Sequence, residues 1–111
     1  MTDEKLILSL IHEELDRANK IYPLFHSGHE AQNVIREELE EAEYELKMCE
    51  DILESMWIKI KCDIDYTDNV NELKGRSIKL IQEAIQVAAM CDKALESMKN
   101  YKQEKDKPGT T

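Results

Sequence analysis

The fold is decided by the stretch SGHEAQNVIREELEEAEYELKMCEDILESMWIKI, residues 27–60. Ser27 can accept a hydrogen bond from an early backbone N–H of a helix, and Glu30 can reach back to the amide of Ser27, as in a capping box. Apolar residues then recur in alternating steps of four and three, the period of a helix packed lengthwise on other helices. The stretch therefore predicts one long amphipathic helix. Its apolar seam consists of Ile35, Leu39, Ala42, Leu46, Cys49, Leu53, Met56 and Ile60.

The rest of the chain is also predicted to be helical. It contains three glycines and two prolines, and it lacks the β-branched runs that are typical of strands. A first helix is expected over residues 3–21, because Pro23 disfavours a helical conformation just before it. A last helix is expected from about residue 71 to residue 99, after a segment rich in Asp, Asn and Thr that is a loop or a frayed helix end. The predicted fold class is all-α, an antiparallel helical bundle with one long central helix.

The length of the chain, 111 residues, predicts a single domain over residues 1–101. Residues 102–111 contain no apolar side chain apart from the proline, and they are expected to form a mobile polar tail. The long helix would span about 50 Å at ~1.5 Å per residue, which exceeds what a monomer of this size covers. Packing between subunits is therefore expected, in a homodimer or homotetramer.

Composition excludes several classes of partner. A formal net charge of −9 argues against binding to a nucleic-acid duplex, which requires clustered Lys and Arg. No apolar run approaches the ~18 to 20 residues of a membrane span, and the N-terminus lacks the pattern of a signal peptide. A cytoplasmic location is therefore expected. The three cysteines are odd in number, so they are expected to be reduced packing residues.

Acidic residues crowd one side of the predicted long helix. Between Glu37 and Glu54 there are nine acids and one base, Lys47. Glu38, Glu41 and Glu45 fall within about 80° of one another around the helix, and like charges one turn apart cost roughly 0.2 to 0.5 kcal/mol per pair. A divalent cation such as Mg²⁺, which prefers oxygen ligands, would offset this repulsion. A solvated acidic face would explain the same residues.

Two histidines, His26 and His29, flank the predicted start of the long helix. Exposed N–H groups and the helix dipole favour an anion at that position. His29 is therefore a candidate contact for a substrate phosphate, and a surface or capping role is the alternative. A zinc site is not predicted, because the fourth residue after His29 is Asn33 and not a second histidine.

Three segments resemble the MazG-like group, as found in phage and prophage proteins, of the all-α nucleotide pyrophosphohydrolase superfamily. The segments are FHSGHE at residues 25–30, VIREELEE at 34–41 and EAIQVAAM at 83–90, and the resemblance covers roughly residues 20–98. It implies a four-helix core assembled as dimers or tetramers. It also implies hydrolysis of nucleoside triphosphates to monophosphate and pyrophosphate with Mg²⁺.

The superfamily binds its metal through ExxE on one helix and ExxD on the next. Carried over, the first pair falls on Glu38 and Glu41, with Glu37 completing EExxE, and the second pair falls on Glu83 and Gln86. Gln86 departs from the pattern, because an amide cannot supply the charge of the expected aspartate and is a weaker ligand for Mg²⁺.

The resemblance thus implies a role for each of several side chains. Glu38, Glu41 and Glu83 would hold Mg²⁺ or Mn²⁺, and Glu37 or Glu45 would orient or deprotonate the attacking water. Lys20 joins His29 as a candidate phosphate contact. The alternative is a non-catalytic helical protein of a phage or prophage, which keeps the scaffold for oligomerisation or for binding a partner and has lost turnover with the aspartate.

Overall fold

A computed structural model describes the chain from residue 3 to residue 105. These residues form three helices, α1 (Glu4–Ile21), α2 (Gly28–Lys61) and α3 (Thr67–Lys105), and no strand occurs among them. The prediction of an all-α fold is confirmed. None of the three described helices contains an apolar stretch of the kind that a membrane span requires.

The start of α2 is fixed by side-chain caps. The Ser27 hydroxyl oxygen accepts a hydrogen bond from the backbone N–H of Glu30 over 3.1 Å, as the sequence predicts. The Glu30 carboxylate accepts from the backbone N–H of His26 over 3.2 Å, one residue before the predicted partner. Each bond gives a partner to a backbone N–H that a helix start leaves without one.

The end of α2 is a tight reversal of the chain. Asp63 adopts a left-handed conformation with φ of 57°, which aspartate tolerates better than most residues. Its N–H donates to the carbonyl of Ile60 over 3.1 Å, and the next N–H, of Ile64, donates to Lys59 over 2.8 Å. These two bonds are a Schellman motif, which gives partners to the last helical carbonyls.

The third helix begins at Thr67, four residues before the predicted start at residue 71. The Asp65 carboxylate accepts from the backbone N–H of Thr67 over 3.0 Å and from its hydroxyl over 2.7 Å. These bonds lower the pKa of Asp65 below its ordinary value. The prediction that residues 67–70 belong to a loop or a frayed helix end was wrong, because Asp65 forms a side-chain turn with Thr67 directly before the helix and the helix starts at Thr67.

The C-terminal part of α3 is longer than expected. The helix continues to Lys105, beyond the predicted end at residue 99, so residues 102–105 of the expected tail are helical. Residues 106–111 of that tail lie outside the described residues. The residues group into two compact units. The first consists of the described residues up to Glu38 together with those from Ile85 onward, and the second is Leu39–Ala84.

The first unit contains α1, the beginning of α2 and the C-terminal part of α3. Helices α1 and α3 run in the same direction, because Glu14 contacts Gln86 and, further along both helices, Tyr22 contacts Lys93. Three helical segments can enclose an apolar centre between them. The buried core residues are Ile11, Leu15, Phe25, Ala89 and Met90.

The connector between α1 and α2 is held by side chains of α3. The backbone N–H of Phe25 donates to the Ser97 hydroxyl over 2.9 Å, and the Tyr101 hydroxyl donates to the Phe25 carbonyl. Ser97 in turn donates to the carbonyl of Lys93 over 2.8 Å. Both backbone groups of buried Phe25 therefore have partners, as buried polar groups require.

The second unit is an antiparallel pair formed by the remaining parts of α2 and α3. The Lys59 amine donates to the Asn69 side chain over 2.6 Å, and Arg76 pairs with Glu45 at 3.2 Å. Later residues of α2 thus meet earlier residues of α3. Glu45 and Asn69 are buried together with Ile52, so this interface is partly polar.

The predicted seam of α2 is only half covered in the second unit. Cys49 and Met56 are partly buried, whereas four other seam residues expose between 40 and 56 % of their surface. The face that meets α3 is rotated from the predicted seam, so that it includes Glu45 and Lys59. The exposed seam residues are Leu39, Leu46, Leu53 and Ile60.

Candidate metal centre

Three carboxylates converge where α2 and α3 run side by side. Glu38 and Glu41 lie one turn apart on the unbroken helix α2, and Glu83 of α3 faces Glu41 within the second unit. One carboxylate oxygen of each of the three lies within 4.8 Å of the others. Glu38 and Glu83 are partly buried and Glu41 is exposed. The structure therefore brings together the three residues that the superfamily resemblance names as metal ligands.

The donor set of this cluster fits a hard divalent cation. All three groups offer carboxylate oxygens, and Mg²⁺ typically takes one or two carboxylates while keeping sites for water and for phosphate oxygens. Carboxylates at this spacing repel one another when they are ionised, and burial strengthens such a repulsion. A cation of charge two would relieve most of it.

Gln86, at the fourth position of the superfamily motif, makes a different contact. Its amide nitrogen donates to one carboxylate oxygen of Glu14 over 2.7 Å. The other oxygen of Glu14 accepts from Arg17, also over 2.7 Å. An aspartate at position 86 could not donate this bond and would repel Glu14. The departure from the superfamily pattern therefore has a packing role in the first unit.

Glu37 and Glu45, the two candidates to orient or deprotonate the attacking water, are in different environments. Glu45 exposes 9 % of its surface, and its carboxylate forms an ion pair with Arg76 at 3.2 Å. Glu37 is exposed, and it lines a cavity of the first unit together with Glu38. Glu37 is the better placed of the two to contact a bound molecule.

The cavity of the first unit has a volume of about 490 Å³ and lies between α1, the beginning of α2 and α3. Part of its lining is apolar and aromatic, from Tyr22, Phe25 and Met90, and part is charged. Glu38 belongs both to this lining and to the acidic cluster. The volume falls within the range of about 300 to 1,000 Å³ that is common for small-molecule sites.

Lys93 is the most deeply buried cation in the lining of this cavity, with 2 % of its surface exposed. Its amine lies 5.2 Å from the ring centre of Phe25 and 6.0 Å from that of Tyr22, and 3.5 Å from the Tyr22 carbonyl oxygen. Burial lowers the pKa of Lys93, because the charged form loses its hydration, and the nearby charge of Glu30 opposes this shift.

The positive side chains of the cavity are not those that the sequence suggested. Lys93 and Arg17 line it, whereas Lys20 and His29 are exposed and do not line it. A signal for Lys93 was present in the sequence, since it continues the helical spacing of Gln86, Ala89 and Met90 on α3. A lysine on an otherwise apolar helix face is a candidate for a functional cation.

The fold and this site define an all-α protein that brings three carboxylates together on neighbouring helices and encloses a partly charged cavity. Comparisons of the chain with protein-family models, with curated proteins and with solved structures found no match.

Proposed function

We propose that the protein is a Mg²⁺-dependent nucleoside triphosphate pyrophosphohydrolase with a MazG-like antiparallel bundle. The observation that carries the proposal is the convergence of Glu38, Glu41 and Glu83 within 4.8 Å. Glu38 and Glu41 come from α2, whereas Glu83 comes from α3 and is far from them in sequence. All three occupy the metal-ligand positions of the superfamily that the chain resembles. The proposed products are a nucleoside monophosphate and pyrophosphate.

The carboxylates of the site have different proposed roles. Glu38, Glu41 and Glu83 would hold Mg²⁺ or Mn²⁺, which when bound neutralises charge on phosphate oxygens and lowers the pKa of bound water. Glu37 orients the attacking water and accepts its proton, since it is exposed and lines the cavity. Glu45 is less suited to this role because Arg76 occupies its carboxylate.

The cavity of the first unit supports a nucleotide as the ligand. The rings of Tyr22 and Phe25 offer apolar surface to a base, and Arg17 and Lys93 offer positive charge. Lys93 carries three donors and no acceptor, so it contacts ligand oxygens and not amino groups. Because Lys93 is almost fully buried, a negatively charged ligand would compensate its desolvated charge.

A second candidate function is a non-catalytic helical protein that oligomerises or binds a partner. The bond from Gln86 to Glu14 favours it, because the position of the expected fourth ligand contributes to packing. In either case we propose self-association as a homodimer or homotetramer. The exposed seam residues of α2 support this part of the proposal.

Pyrophosphate release distinguishes the two functions. The purified protein is incubated with standard and modified nucleoside triphosphates in Mg²⁺ or Mn²⁺. We expect release by the wild type, loss of release in Glu38→Gln, and unchanged release in Glu43→Gln, which removes an exposed carboxylate two residues after Glu41. Wild-type release no greater than that of Glu38→Gln would favour the non-catalytic function.

Thermal melting tests the metal site without turnover. A cation that binds only the folded protein stabilises it by about 2.7 kcal/mol at a hundredfold excess over its Kd. We expect Glu41→Gln to melt slightly higher than wild type in EDTA, since a repulsion is removed, and to respond less to ~5 mM Mg²⁺ at matched ionic strength. Glu43→Gln should keep the full response. Parallel responses of wild type and Glu41→Gln would exclude the metal site.

A further inference from the structure

Lys93 and Glu38 line the cavity of the first unit at different levels along α2. The amine of Lys93 lies beside the ring of Phe25, just before α2 begins, and it interacts with the charge of Glu30 in the first turn of that helix. Glu38 follows Glu30 by eight residues, which is about 12 Å along the helix axis. A phosphate bound through a metal at Glu38 would therefore lie too far from Lys93 for a direct contact.

The surroundings of Lys93 suit the base of a nucleotide better than its phosphates. The ring centres of Phe25 and Tyr22 lie 5.2 and 6.0 Å from the amine, and buried Met90 lines the same part of the cavity. A polyphosphate at this apolar end would lose its hydration and would face the carboxylate of Glu30. A base is uncharged and stacks on aromatic rings. With the phosphates at Glu38, the base therefore lies at the Lys93 end.

The ammonium group of Lys93 has hydrogen bonds left to donate. Among the described residues it donates only to the carbonyl of Tyr22, over 3.5 Å, which is longer than the roughly 2.7 to 3.2 Å of a typical bond from nitrogen to oxygen. The group has three donors and no acceptor. It can therefore bind an exocyclic oxygen of a base, whereas an exocyclic amino group would present a second set of donors to it.

We propose that Lys93 selects nucleotides whose base has a keto oxygen at pyrimidine position 4 or purine position 6. Uracil, thymine, guanine and hypoxanthine have this oxygen, and cytosine and adenine have an amino group in its place. With an amino group the buried donors of Lys93 would lose their acceptor, which is costly in a desolvated site. The inference rests on the proposed function, because it assigns the base end of the same site.

Matched pairs of nucleotides test the selection. The members of each pair, dUTP with dCTP and dITP with dATP, differ at the position that Lys93 contacts. In pyrophosphate release we expect kcat/KM to be at least about tenfold higher for the keto member of each pair. Lys93→Met should reduce this ratio to within about twofold, and Lys99→Met, which removes an exposed amine of the same helix, should keep it. Equal values within both pairs, or a preference that survives in Lys93→Met, would overturn the proposal.

An amide at position 93 separates selection from a structural role. Lys93→Gln offers both a donor and an acceptor, so it can bind a keto oxygen or an amino group. We expect its kcat/KM for dCTP and dATP to be several-fold above that of the wild type. If Lys93 only supported the fold, both substitutions would lower the release from all four nucleotides by the same factor, and this result would overturn the proposal.

Equilibrium binding separates this inference from the proposed activity. The Kd values of the α,β-imido analogues of dUTP and dCTP are measured by calorimetry with Mg²⁺, and we expect the same preference of at least about tenfold in wild type and its loss in Lys93→Met. This preference without pyrophosphate release from the parent nucleotides would remove the enzymatic function alone. Release without a preference would remove this inference alone, and absence of binding of both analogues would also overturn it.

Discussion

The two units of the molecule bury different kinds of side chain. The first unit has three helical segments and buries an apolar core that includes Phe25 and Met90. The second has two segments, and it buries Glu45 and Asn69 beside Ile52. Two helices cannot enclose the apolar seam that a long helix carries, whereas three can. The difference shows that the number of covering helices, and not the seam of α2 itself, decides which apolar residues are buried.

The polar contacts of the two units also differ in purpose. In the second unit the pairs of Arg76 with Glu45 and of Lys59 with Asn69 join two helices that share little apolar surface. In the first unit Lys93 is buried next to aromatic rings and lines a cavity. The contacts of Arg76 and Lys59 fix the register of the helix pair in the second unit. The position of Lys93 places a charge in the lining of the cavity of the first unit, where it can contact a ligand.

Truncation of a buried apolar residue should have the largest effect on the free energy of unfolding. The size of the loss should differ between the two units. Phe25→Ala should lower the free energy of unfolding by about 3 to 5 kcal/mol, because it leaves a cavity among three helical segments. Ile52→Ala should cost about 2 kcal/mol, at the low end for its type, since two helices can close around it. Urea unfolding of both variants measures the difference. Equal losses would contradict the contrast between the two units.

Removal of Arg76 should have the next largest effect. Arg76→Ala leaves the buried carboxylate of Glu45 without its ion-pair partner, which should cost about 2 kcal/mol. Glu45→Leu in the same protein should recover most of this loss, because the desolvated charge is gone. Asp51→Ala breaks the exposed pair with Lys47 and should change stability by less than about 0.5 kcal/mol. Unfolding in urea tests all three, and an unrecovered loss in the double variant would argue against the ion pair.

Replacement of Lys93 should have the smallest effect on the free energy of unfolding, and it should raise this free energy, whereas the substitutions above lower it. Lys93→Met removes a buried charge and should raise stability by roughly 1 kcal/mol at neutral pH. The folded pKa of Lys93 is lowered, so the unfolded chain binds more protons between that pKa and the ordinary lysine value. Wild-type stability should therefore rise with pH across this interval and level off above it, and the variant should lack the rise.

Exposed Lys99 supplies the control for this measurement. Lys99→Met should keep the dependence on pH and should not change stability by more than about 0.5 kcal/mol. Thermal melting from pH 7 to pH 11 provides the data. The same rise in wild type and Lys93→Met would mean that another group is responsible.

Local signals in the sequence were sufficient to predict where α1 and α2 begin and end. Pro23, the Ser27 cap and the apolar period place the ends of both helices within one residue of those observed. The start of α3 was predicted four residues too late, because the segment that contains Asp65 was interpreted as a loop or a frayed helix end up to residue 70. A short polar residue favours caps and turns alike, and only the contacts of Thr67 distinguish the two.

The candidate site was predictable in part. Glu38 and Glu41 followed from helical spacing, whereas Glu83 came from the superfamily resemblance, because no local pattern relates residues so far apart. Arg17 and Lys93 were missed, since their place in the cavity depends on how α1 and α3 pack. Helical period gives the direction in which a side chain points, but it does not show what covers that side.

The bonds that α3 makes to Phe25 have a consequence for the order in which the chain folds. Ser97 and Tyr101 hold a residue 72 and 76 positions earlier, whereas Lys59 and Asn69 are only 10 positions apart. Contacts between distant residues form late, because a long loop must close first. During synthesis on the ribosome, the antiparallel pair of α2 and α3 can therefore form before α1 packs against the C-terminal part of α3. The residues between Phe25 and Ser97 are therefore synthesised before the 18 residues of α1 acquire a fixed position.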